Sequence, residues 1–215
     1  MEDPHADIEV FTANADPSKS NAPVRAAIVV LHGRGGSARD LLTLTPQLLD
    51  GLPDAHDVAV LAPQAHDYTW YPHGFMKPRE QNEPWATSAL AAVDRLLANL
   101  TVERTVLLGF SQGACLACEY AATRPRRYAG VVAFTGGLIG ETLTPYTGDL
   151  AGTPVLLTTG DPDPHVPFNR VEVTAEVLRD LTADMQVERY PGKPHSISRD
   201  ELRLAAELIG SVLHP

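Results

Sequence analysis

A serine flanked by two glycines, in the segment Gly109–Gly113 (GFSQG), separates an apolar run at 105–108 from a helix-favouring run at 114–122. A serine on a sharp turn between a strand and a helix projects its hydroxyl clear of the sheet. The glycines fit such a turn because they let the strand and helix backbones approach closely. The pattern predicts that Ser111 is a nucleophile for acyl transfer, although the pentapeptide alone is equally typical of a turn with an inert serine.

A serine hydroxyl becomes a good nucleophile only when a base removes its proton and an acid orients that base. After a nucleophile turn of this kind the acid and then the histidine follow along the chain. His195 lies in a proline-containing loop after the apolar run at 187–190, and we predict that it is the base. Asp161 and Asp163 share a turn after the run at 155–158, where α/β active sites form. Position alone does not choose between these two aspartates.

A further segment supplies candidate hydrogen-bond donors for a negatively charged oxygen. Residues 31–36 (LHGRGG) follow the apolar run at 26–31, and their small side chains allow backbone N–H groups to point into a cavity. An acyl-transfer site of this kind uses one N–H here and one from the residue after the nucleophile. We therefore assign the oxyanion hole to the backbone of Arg34 and Gln112, and we expect His32 to shape the loop. A glycine-rich turn that leads into a helix is the alternative.

Apolar runs alternate with helical patterns along the chain. Continuous apolar runs are typical of strands buried on both faces, and the crossovers between them predict a mostly parallel sheet with helices on both sides. The predicted fold class is therefore α/β, as one domain over residues 1–215. Strands are predicted at 8–12, 26–31, 58–61, 105–108, 131–134, 155–158 and 187–190. The clearest helix is predicted over 82–100, and capping patterns predict helix starts at Ser37 and Ser198.

Two loops are candidates to cover a site at the C-terminal edge of this sheet. The loop at 135–154 is too short for a large cap domain. The loop at 63–83 is longer and contains Trp70 and Tyr71, and a long irregular loop in a compact domain is usually functional. We expect an open groove in which Trp70 and Tyr71 line the acyl side. Shielding of the core edges is the alternative role for this loop.

Composition excludes several classes of partner. The net charge of −10 and the pI of about 5.2 argue against nucleic acids and anionic membranes. No apolar run reaches 18 residues, so we expect no stable membrane insertion, and the acidic residues 1–7 lack a signal pattern, which predicts a cytoplasmic protein. Cys115 and Cys118 have no further ligands at suitable spacing. They are predicted to be packed thiols, and no metal or other cofactor is expected.

Taken together, these segments resemble the phospholipase/carboxylesterase family of α/β hydrolases, which includes acyl-protein thioesterases and small bacterial carboxylesterases. The resemblance covers nearly the whole chain and is carried by residues 31–33, 109–113, 160–167 and 194–195. It implies the α/β-hydrolase fold and a triad of Ser111, Asp163 and His195, because the family's acid is the aspartate of G-x-x-D-x-x-V. It also implies that Trp70 and Tyr71 are the aromatic pair near the acyl site.

The sequence therefore predicts a serine hydrolase that cleaves small-molecule carboxylic esters, and possible substrates include thioesters and lysophospholipids. It is expected to act as a monomer or homodimer. An acyltransferase or a peptidase is an alternative, because water, an alcohol or an amine can each resolve the same acyl-enzyme. A non-catalytic binding protein of this fold would be expected to lack a triad residue, and all three are present. A dienelactone hydrolase would require a cysteine at position 111.

Overall fold

A computed structural model describes residues 3–15, 25–143 and 145–213, and its strands form one seven-stranded sheet. The strands are β1 (Val10–Asn14), β2 (Ala26–Leu31), β3 (Val58–Pro63), β4 (Thr105–Phe110), β5 (Gly130–Phe134), β6 (Pro154–Asp161) and β7 (Asp184–Pro191). Their order across the sheet is β1-β3-β2-β4-β5-β6-β7. Every neighbouring pair is parallel except β1 and β3, so the predicted class is confirmed.

The inner strands are buried on both faces, as their continuous apolar sequences predict. Every residue of β2 and β3 is buried, and the β2–β4 register sets Ile28 opposite Val106 at the centre of the sheet. The edge strand predicted at 8–12 is found slightly later in the chain, as β1. It is partly exposed and pairs antiparallel with β3, an arrangement that is common at the edge of a parallel sheet.

In the described residues, six α-helices cover the two faces of the sheet. They are α1 (Ala38–Leu42), α2 (Thr45–Leu48), α3 (Trp85–Leu97), α4 (Gln112–Thr123), α5 (Phe168–Asp180) and α6 (Arg199–Leu213). Helices α3, α4 and α5 pack on one face, and α1, α2 and α6 pack on the other. In the part of the chain that the structure describes, no helix is long and apolar enough to cross a membrane.

Two helix starts follow the predicted capping patterns. The Ser37 hydroxyl accepts a hydrogen bond from the Asp40 N–H at 3.2 Å, before α1. At α6, the Glu201 N–H donates to Ser198 Oγ at 3.2 Å, and the Ser198 N–H donates to Glu201 Oε2 at 2.7 Å. These reciprocal bonds satisfy backbone donors that a helix start otherwise leaves unpaired.

Helix α3 is shorter than predicted, and the predicted start at Asn82 is wrong. Asn82 belongs to a preceding turn of 3₁₀-helix, where its side chain is buried. Its Oδ1 accepts from the His73 N–H at 2.9 Å and its Nδ2 donates to the Gly74 carbonyl at 3.2 Å. The helical periodicity misled the prediction because these bonds use Asn82 to fix a loop and α3 begins only after Pro84.

The parallel strands direct their C-terminal ends to one edge of the sheet. The loops after β2, β4, β6 and β7 all emerge at this edge, and they contain Arg34, Ser111, Asp163 and His195, respectively. In open α/β sheets this edge is where ligands bind. The described residues between β5 and β6 form loops and turns, so no large cap domain is inserted there.

Candidate active site

Ser111 lies on a sharp turn between β4 and α4. Its backbone has φ 53° and ψ −115°, a combination that residues other than glycine rarely adopt. The Ser111 N–H donates to the Phe134 carbonyl at 2.9 Å, which fixes the turn against β5. The Ser111 hydroxyl makes no capping bond to α4, so it is available to other partners.

Close backbone contacts explain both glycines of this turn. A Cβ atom on Gly109 would collide with the backbone of Gly113, and one on Gly113 would collide with the carbonyl group of Leu31. A side chain at either position would therefore force β4, α4 and β2 apart. The expectation that these glycines permit a close approach is confirmed.

The structure brings Ser111, His195 and Asp163 together. His195 Nε2 lies 2.9 Å from Ser111 Oγ, and His195 Nδ1 lies 2.8 Å from Asp163 Oδ2. With the Nδ1–H donating to the carboxylate, Nε2 is left as the acceptor for the serine hydroxyl. This is the geometry in which an imidazole can remove the serine proton.

Asp163 is held as a carboxylate. Its Oδ1 accepts from the His165 and Val166 N–H groups, both at 2.8 Å, while its Oδ2 faces His195. Burial alone would raise the pKa of Asp163, but the bonds from His165, His195 and Val166 outweigh burial and lower this pKa below its ordinary value. The neighbouring Asp161 instead pairs with Arg189 on β7.

A buried ion pair fixes the loop that carries His195. Lys193 Nζ lies 3.1 Å from Glu201 Oε2, and Glu201 is fully buried at the start of α6. Glu201 also accepts a hydrogen bond from Thr158 Oγ1 on β6 at 2.5 Å. The loop is thus tied to both a strand and a helix, which restrains the position of the His195 imidazole.

The predicted oxyanion-hole residues flank the serine. Within the described residues, neither the Arg34 N–H nor the Gln112 N–H has a hydrogen-bond partner in the protein. Both side chains hold the neighbouring loop: the Arg34 guanidinium donates to the Pro72 carbonyl at 2.7 Å, and Gln112 Nε2 donates to the Tyr71 carbonyl at 2.7 Å. The loop after β2 is shaped as expected by His32, which is buried and accepts from the Ala65 N–H at 3.0 Å.

A cavity of about 350 Å³ opens beside the Ser111 hydroxyl. It is lined by Gly33, Arg34, Tyr71, Gly74, Phe75, Phe110, Ser111, Gln112, Cys115, His165, Val166 and His195. Arg34 and His165 are exposed at its rim, whereas Tyr71 and Cys115 are almost fully buried at its inner end. Of the two predicted aromatic residues, the structure therefore brings Tyr71 to the cavity.

Trp70 is not part of the cavity wall, and the prediction that it lines the groove is corrected here. Its side chain is fully buried, and the indole N–H donates to the His32 carbonyl at 2.9 Å. The ring packs beside the His5 and His32 imidazoles. The chain bends at these residues, and Tyr71 lines the cavity while Trp70 is buried in the core.

Glu119 on α4 braces the loop that covers the cavity. It is a fully buried carboxylate that pairs with Arg79 and accepts from the Ile139 N–H at 3.0 Å and the Tyr146 hydroxyl at 2.8 Å. The loop at 63–83 and the loop at 135–154 also meet directly, since the Gly140 N–H donates to the Phe75 carbonyl at 2.7 Å. The cavity wall over residues 71–75 is thereby fixed to the helix that begins at the nucleophile.

Sequence patterns did not single out Phe110, Cys115 and His165 as wall residues. Phe110 and His165 both pack against the His195 imidazole, with ring centroids 5.1 and 4.8 Å away. Cys115 is four residues after Ser111 on α4, so helical spacing could have placed it on the same side.

Cys115 and Cys118 are both buried free thiols, as predicted. Among the described residues, no group of three His, Cys, Asp or Glu side chains could hold a metal ion.

Comparison with known proteins agrees with this geometry. A sequence profile of the phospholipase/carboxylesterase family matches residues 14–213. A crystal structure of a phospholipase/carboxylesterase from Dyadobacter fermentans has a TM-score of 0.86 and 40% sequence identity, covering 94% of this chain and 96% of that chain. The chain belongs to the phospholipase/carboxylesterase family. The resemblance and the α/β-hydrolase fold predicted from sequence are therefore confirmed.

Other proteins show more distant similarity. The structure of esterase PE8 has a TM-score of 0.77 at 26% identity and covers 95% of this chain and 99% of that one. Acyl-protein thioesterase 1 of Gibberella zeae is 32% identical over 110 residues, which are 49% of this chain and 46% of the relative. A probable carboxylesterase SOBER1-like of Arabidopsis thaliana is 29% identical over 116 residues, covering 53% and 44%. The chain spans about half the length of these curated relatives.

Proposed function

We propose that this protein is a serine hydrolase that cleaves carboxylic esters or thioesters through an acyl-enzyme intermediate. The observation that carries the proposal is the pair of contacts at His195, 2.9 Å to Ser111 Oγ and 2.8 Å to Asp163 Oδ2. Membership of the phospholipase/carboxylesterase family supports the same chemistry. The cavity beside the serine is small and mostly apolar, which suits an acyl group of modest size.

The first half of the reaction forms the acyl-enzyme. Ser111 Oγ attacks the carbonyl carbon of the substrate while its proton passes to His195 Nε2, and the Asp163 carboxylate stabilises the resulting imidazolium. The carbonyl oxygen becomes an oxyanion, which the Arg34 and Gln112 N–H groups would stabilise. The intermediate then collapses, the bond to the alcohol or thiol breaks, and the leaving group takes the proton from His195.

The second half of the reaction releases the acid. Water attacks the acyl carbon, gives a proton to His195 Nε2 and forms a second oxyanion at the same two N–H groups. Collapse breaks the bond to Ser111 Oγ, and the serine regains its proton from His195. Water can reach the acyl carbon for this step because His195 and His165 lie near the solvent-exposed rim of the cavity.

The nucleophile assignment is tested with Ser111→Ala. We expect a loss of ester hydrolysis on the order of 10⁶ in turnover, because no other hydroxyl can replace the attacking oxygen. A fluorophosphonate probe should label the wild type at Ser111, as read by peptide mass spectrometry. Ser196→Ala, at an exposed serine next to the base, is the matched control and should retain both labelling and turnover. Labelling at another serine, or normal turnover in Ser111→Ala, would contradict the proposal.

The substrate class is tested with a panel of acyl esters, acyl thioesters and lysophospholipids of matched chain length. Two curated relatives are named acyl-protein thioesterase and probable carboxylesterase, and both activities suit the same three residues. We propose ester and thioester hydrolysis because an acyl-enzyme forms equally from either leaving group. Transfer of the acyl group to an added alcohol or amine in place of water would instead indicate an acyltransferase, and cleavage of an acyl amide would indicate a peptidase.

The proposal extends to the setting in which the protein acts. We propose a cytoplasmic location, supported by the two buried free thiols, since disulfides are rare in reducing compartments. We also propose that residues 1–215 form one domain, acting as a monomer or homodimer. Limited proteolysis would test the single domain, and light scattering would test the assembly state. Cell fractionation would test the location.

A further inference from the structure

The Arg34 N–H, which the proposed mechanism uses as an oxyanion donor, lies between two peptide groups that are tied to the loop at 63–83. In the peptide group before it, the His32 carbonyl accepts from the Trp70 indole N–H at 2.9 Å. In the peptide group after it, the Gly35 N–H donates to the Tyr68 carbonyl at 2.8 Å. Residues 68–70 therefore constrain the direction of the Arg34 N–H from both sides.

The peptide group that contains the Arg34 N–H is itself held by His32. The Ala65 N–H donates to His32 Nε2 at 3.0 Å, so Nε2 is the acceptor and Nδ1 carries the proton. His32 Nδ1 donates to the Gly33 carbonyl at 2.7 Å, and this carbonyl also accepts from the Gly36 N–H at 3.0 Å. The carbonyl and the N–H of a planar trans peptide group point in opposite directions, so these bonds direct the Arg34 N–H away from His32.

Trp70 also joins this loop to the second oxyanion donor. Its ring packs on the His32 imidazole, with ring centroids 5.2 Å apart, and its backbone N–H donates to Gln112 Oε1 at 2.9 Å. Gln112 supplies the other N–H of the proposed oxyanion hole. Trp70 is therefore bonded both to the loop that carries the Arg34 N–H and to the residue that follows the nucleophile.

The Trp70 indole affects catalysis only through these neighbours. Its side chain is fully buried and is not part of the cavity wall, so it does not touch the substrate. Without the indole donor, the buried His32 carbonyl would lose a hydrogen bond, and the loop would be free to rotate toward another donor. An oxyanion donor acts only within about 2.7–3.1 Å of the position that the oxyanion will occupy. A small rotation of the Arg34 N–H is therefore enough to weaken it.

We propose that Trp70 is a positioning residue of the oxyanion hole, whose indole N–H fixes the His32 carbonyl and thereby the direction of the Arg34 N–H. Its backbone N–H, bonded to the Gln112 side chain, holds this loop against the residue that supplies the second donor. This inference rests on the proposed function, because it takes the Arg34 and Gln112 N–H groups as the donors to the oxyanion that attack by Ser111 creates.

The test compares Trp70→Phe, which keeps an aromatic ring but removes the indole N–H, with the matched control Trp85→Phe. Trp85 on α3 packs on the same His5 imidazole as Trp70, with ring centroids 5.5 Å apart in both pairs. We expect Trp70→Phe to lower kcat for a nitrophenyl ester by about tenfold or more, since loss of a whole oxyanion donor costs about 10²–10³. KM should not change, because the donor acts on a charge that exists only in the transition state. Trp85→Phe should keep both wild-type constants.

Two inhibitors separate positioning of the oxyanion hole from a general role in packing. Ser111 Oγ adds to the carbonyl carbon of an alkyl trifluoromethyl ketone, the serine proton passes to His195, and the ketone oxygen becomes an oxyanion. The alcohol obtained by reducing this ketone binds the same cavity without forming an oxyanion. Trp70→Phe should weaken binding of the ketone by the factor that it loses in kcat/KM and should leave the Kd of the alcohol unchanged.

A second variant keeps the test decisive if Trp70→Phe does not fold, as judged by circular dichroism. Replacement of Trp70 by benzothienylalanine, a tryptophan isostere with sulfur in place of the indole N–H, should give the same kinetic and inhibitor results. Equal weakening of the ketone and the alcohol, unchanged affinity for the ketone, or an equal loss of kcat in Trp85→Phe would overturn the inference. Wild-type ester hydrolysis no faster than that of Ser111→Ala would instead refute the proposed function.

Discussion

The choice between two aspartates that lie two positions apart shows how finely the site is specified at the level of single residues. Asp163 receives two backbone N–H groups and the His195 imidazole, whereas Asp161 pairs with Arg189 near the surface. Both belong to the same turn, so their separation in sequence says nothing about which one orients the base. Resemblance to the family pointed to Asp163, and the contacts supply a physical reason for that choice.

This difference leads to a prediction for the two matched asparagine variants. Asp163→Asn should lower kcat by about 10⁴, because an amide at this position favours the wrong histidine tautomer. Asp161→Asn should change kcat by less than about threefold, since a surface ion pair contributes little. Steady-state kinetics on one ester would measure both variants. Equal losses, or a larger loss for Asp161→Asn, would show that the turn as a whole and not Asp163 supports the base.

Residue-level prediction from sequence succeeded where a backbone motif fixes the side chain and failed where packing decides. The glycine turn fixes Ser111 whatever surrounds it, and the order of the motifs then indicates His195. Trp70 and Tyr71 are adjacent aromatic residues in one loop, and nothing in their types shows which one faces the cavity. That is decided by His32, which offers its carbonyl to the Trp70 indole.

At the level of elements, the turn after β4 depends on three backbones that meet without room for a side chain. Gly109 and Gly113 are both positions where an added Cβ would collide with backbone atoms, which cannot move aside as a flexible side chain can. Parallel pairing and most strand positions were predictable, because buried parallel strands have continuous apolar sequences. The start of α3 was not, because a tertiary role of Asn82 overrides helical periodicity.

We expect Gly113→Ala to destabilise the fold by about 3 kcal/mol or more, since overpacking against backbone costs at least as much as overpacking a core. The control is Gly210→Ala in α6, where an added Cβ lies at an ordinary 3.9 Å from Leu52. That variant should gain about 0.5–1 kcal/mol, because alanine is a better helix former than glycine. Urea unfolding measures both changes. A Gly113→Ala protein as stable as the wild type would show that the turn can widen.

For the whole molecule, buried histidines make stability depend on pH in a defined window. His32 and His5 are both buried against the Trp70 ring. Burial lowers the pKa of both below the ordinary 6.5, although bonds to the Gly33 and Trp70 carbonyls oppose this. As the pH falls, the unfolded chain therefore binds protons at these residues at a higher pH than the folded protein does. The contribution that these buried, neutral histidines make to the free energy of unfolding is fully present above pH 6.5 and is lost as the pH falls below that value.

We predict that, below pH 6.5, each such histidine removes about 1.4 kcal/mol of unfolding free energy per pH unit until its folded pKa is reached. Urea unfolding at several pH values between 8 and 5 would show a plateau followed by this decline. His32→Gln should flatten the decline, and His56→Gln, at an exposed histidine, should keep the wild-type slope. If the free energy of unfolding of the wild type stayed constant down to pH 5, the buried imidazoles would have to remain accessible to protons in the folded protein.

The bracing of residues 71–75 by Glu119, Arg34 and Gln112 has a kinetic consequence at a lipid–water boundary. Lipases that must open a mobile lid show interfacial activation, in which the rate rises abruptly once the ester exceeds its solubility and forms droplets. Here the covering loop is fastened to the helix that follows the nucleophile, so a droplet surface has no lid to displace. We therefore expect the rate of ester hydrolysis to rise hyperbolically with total ester and to show no upward break at the solubility limit. A sigmoidal rise at that concentration would mean that the loop moves despite its contacts.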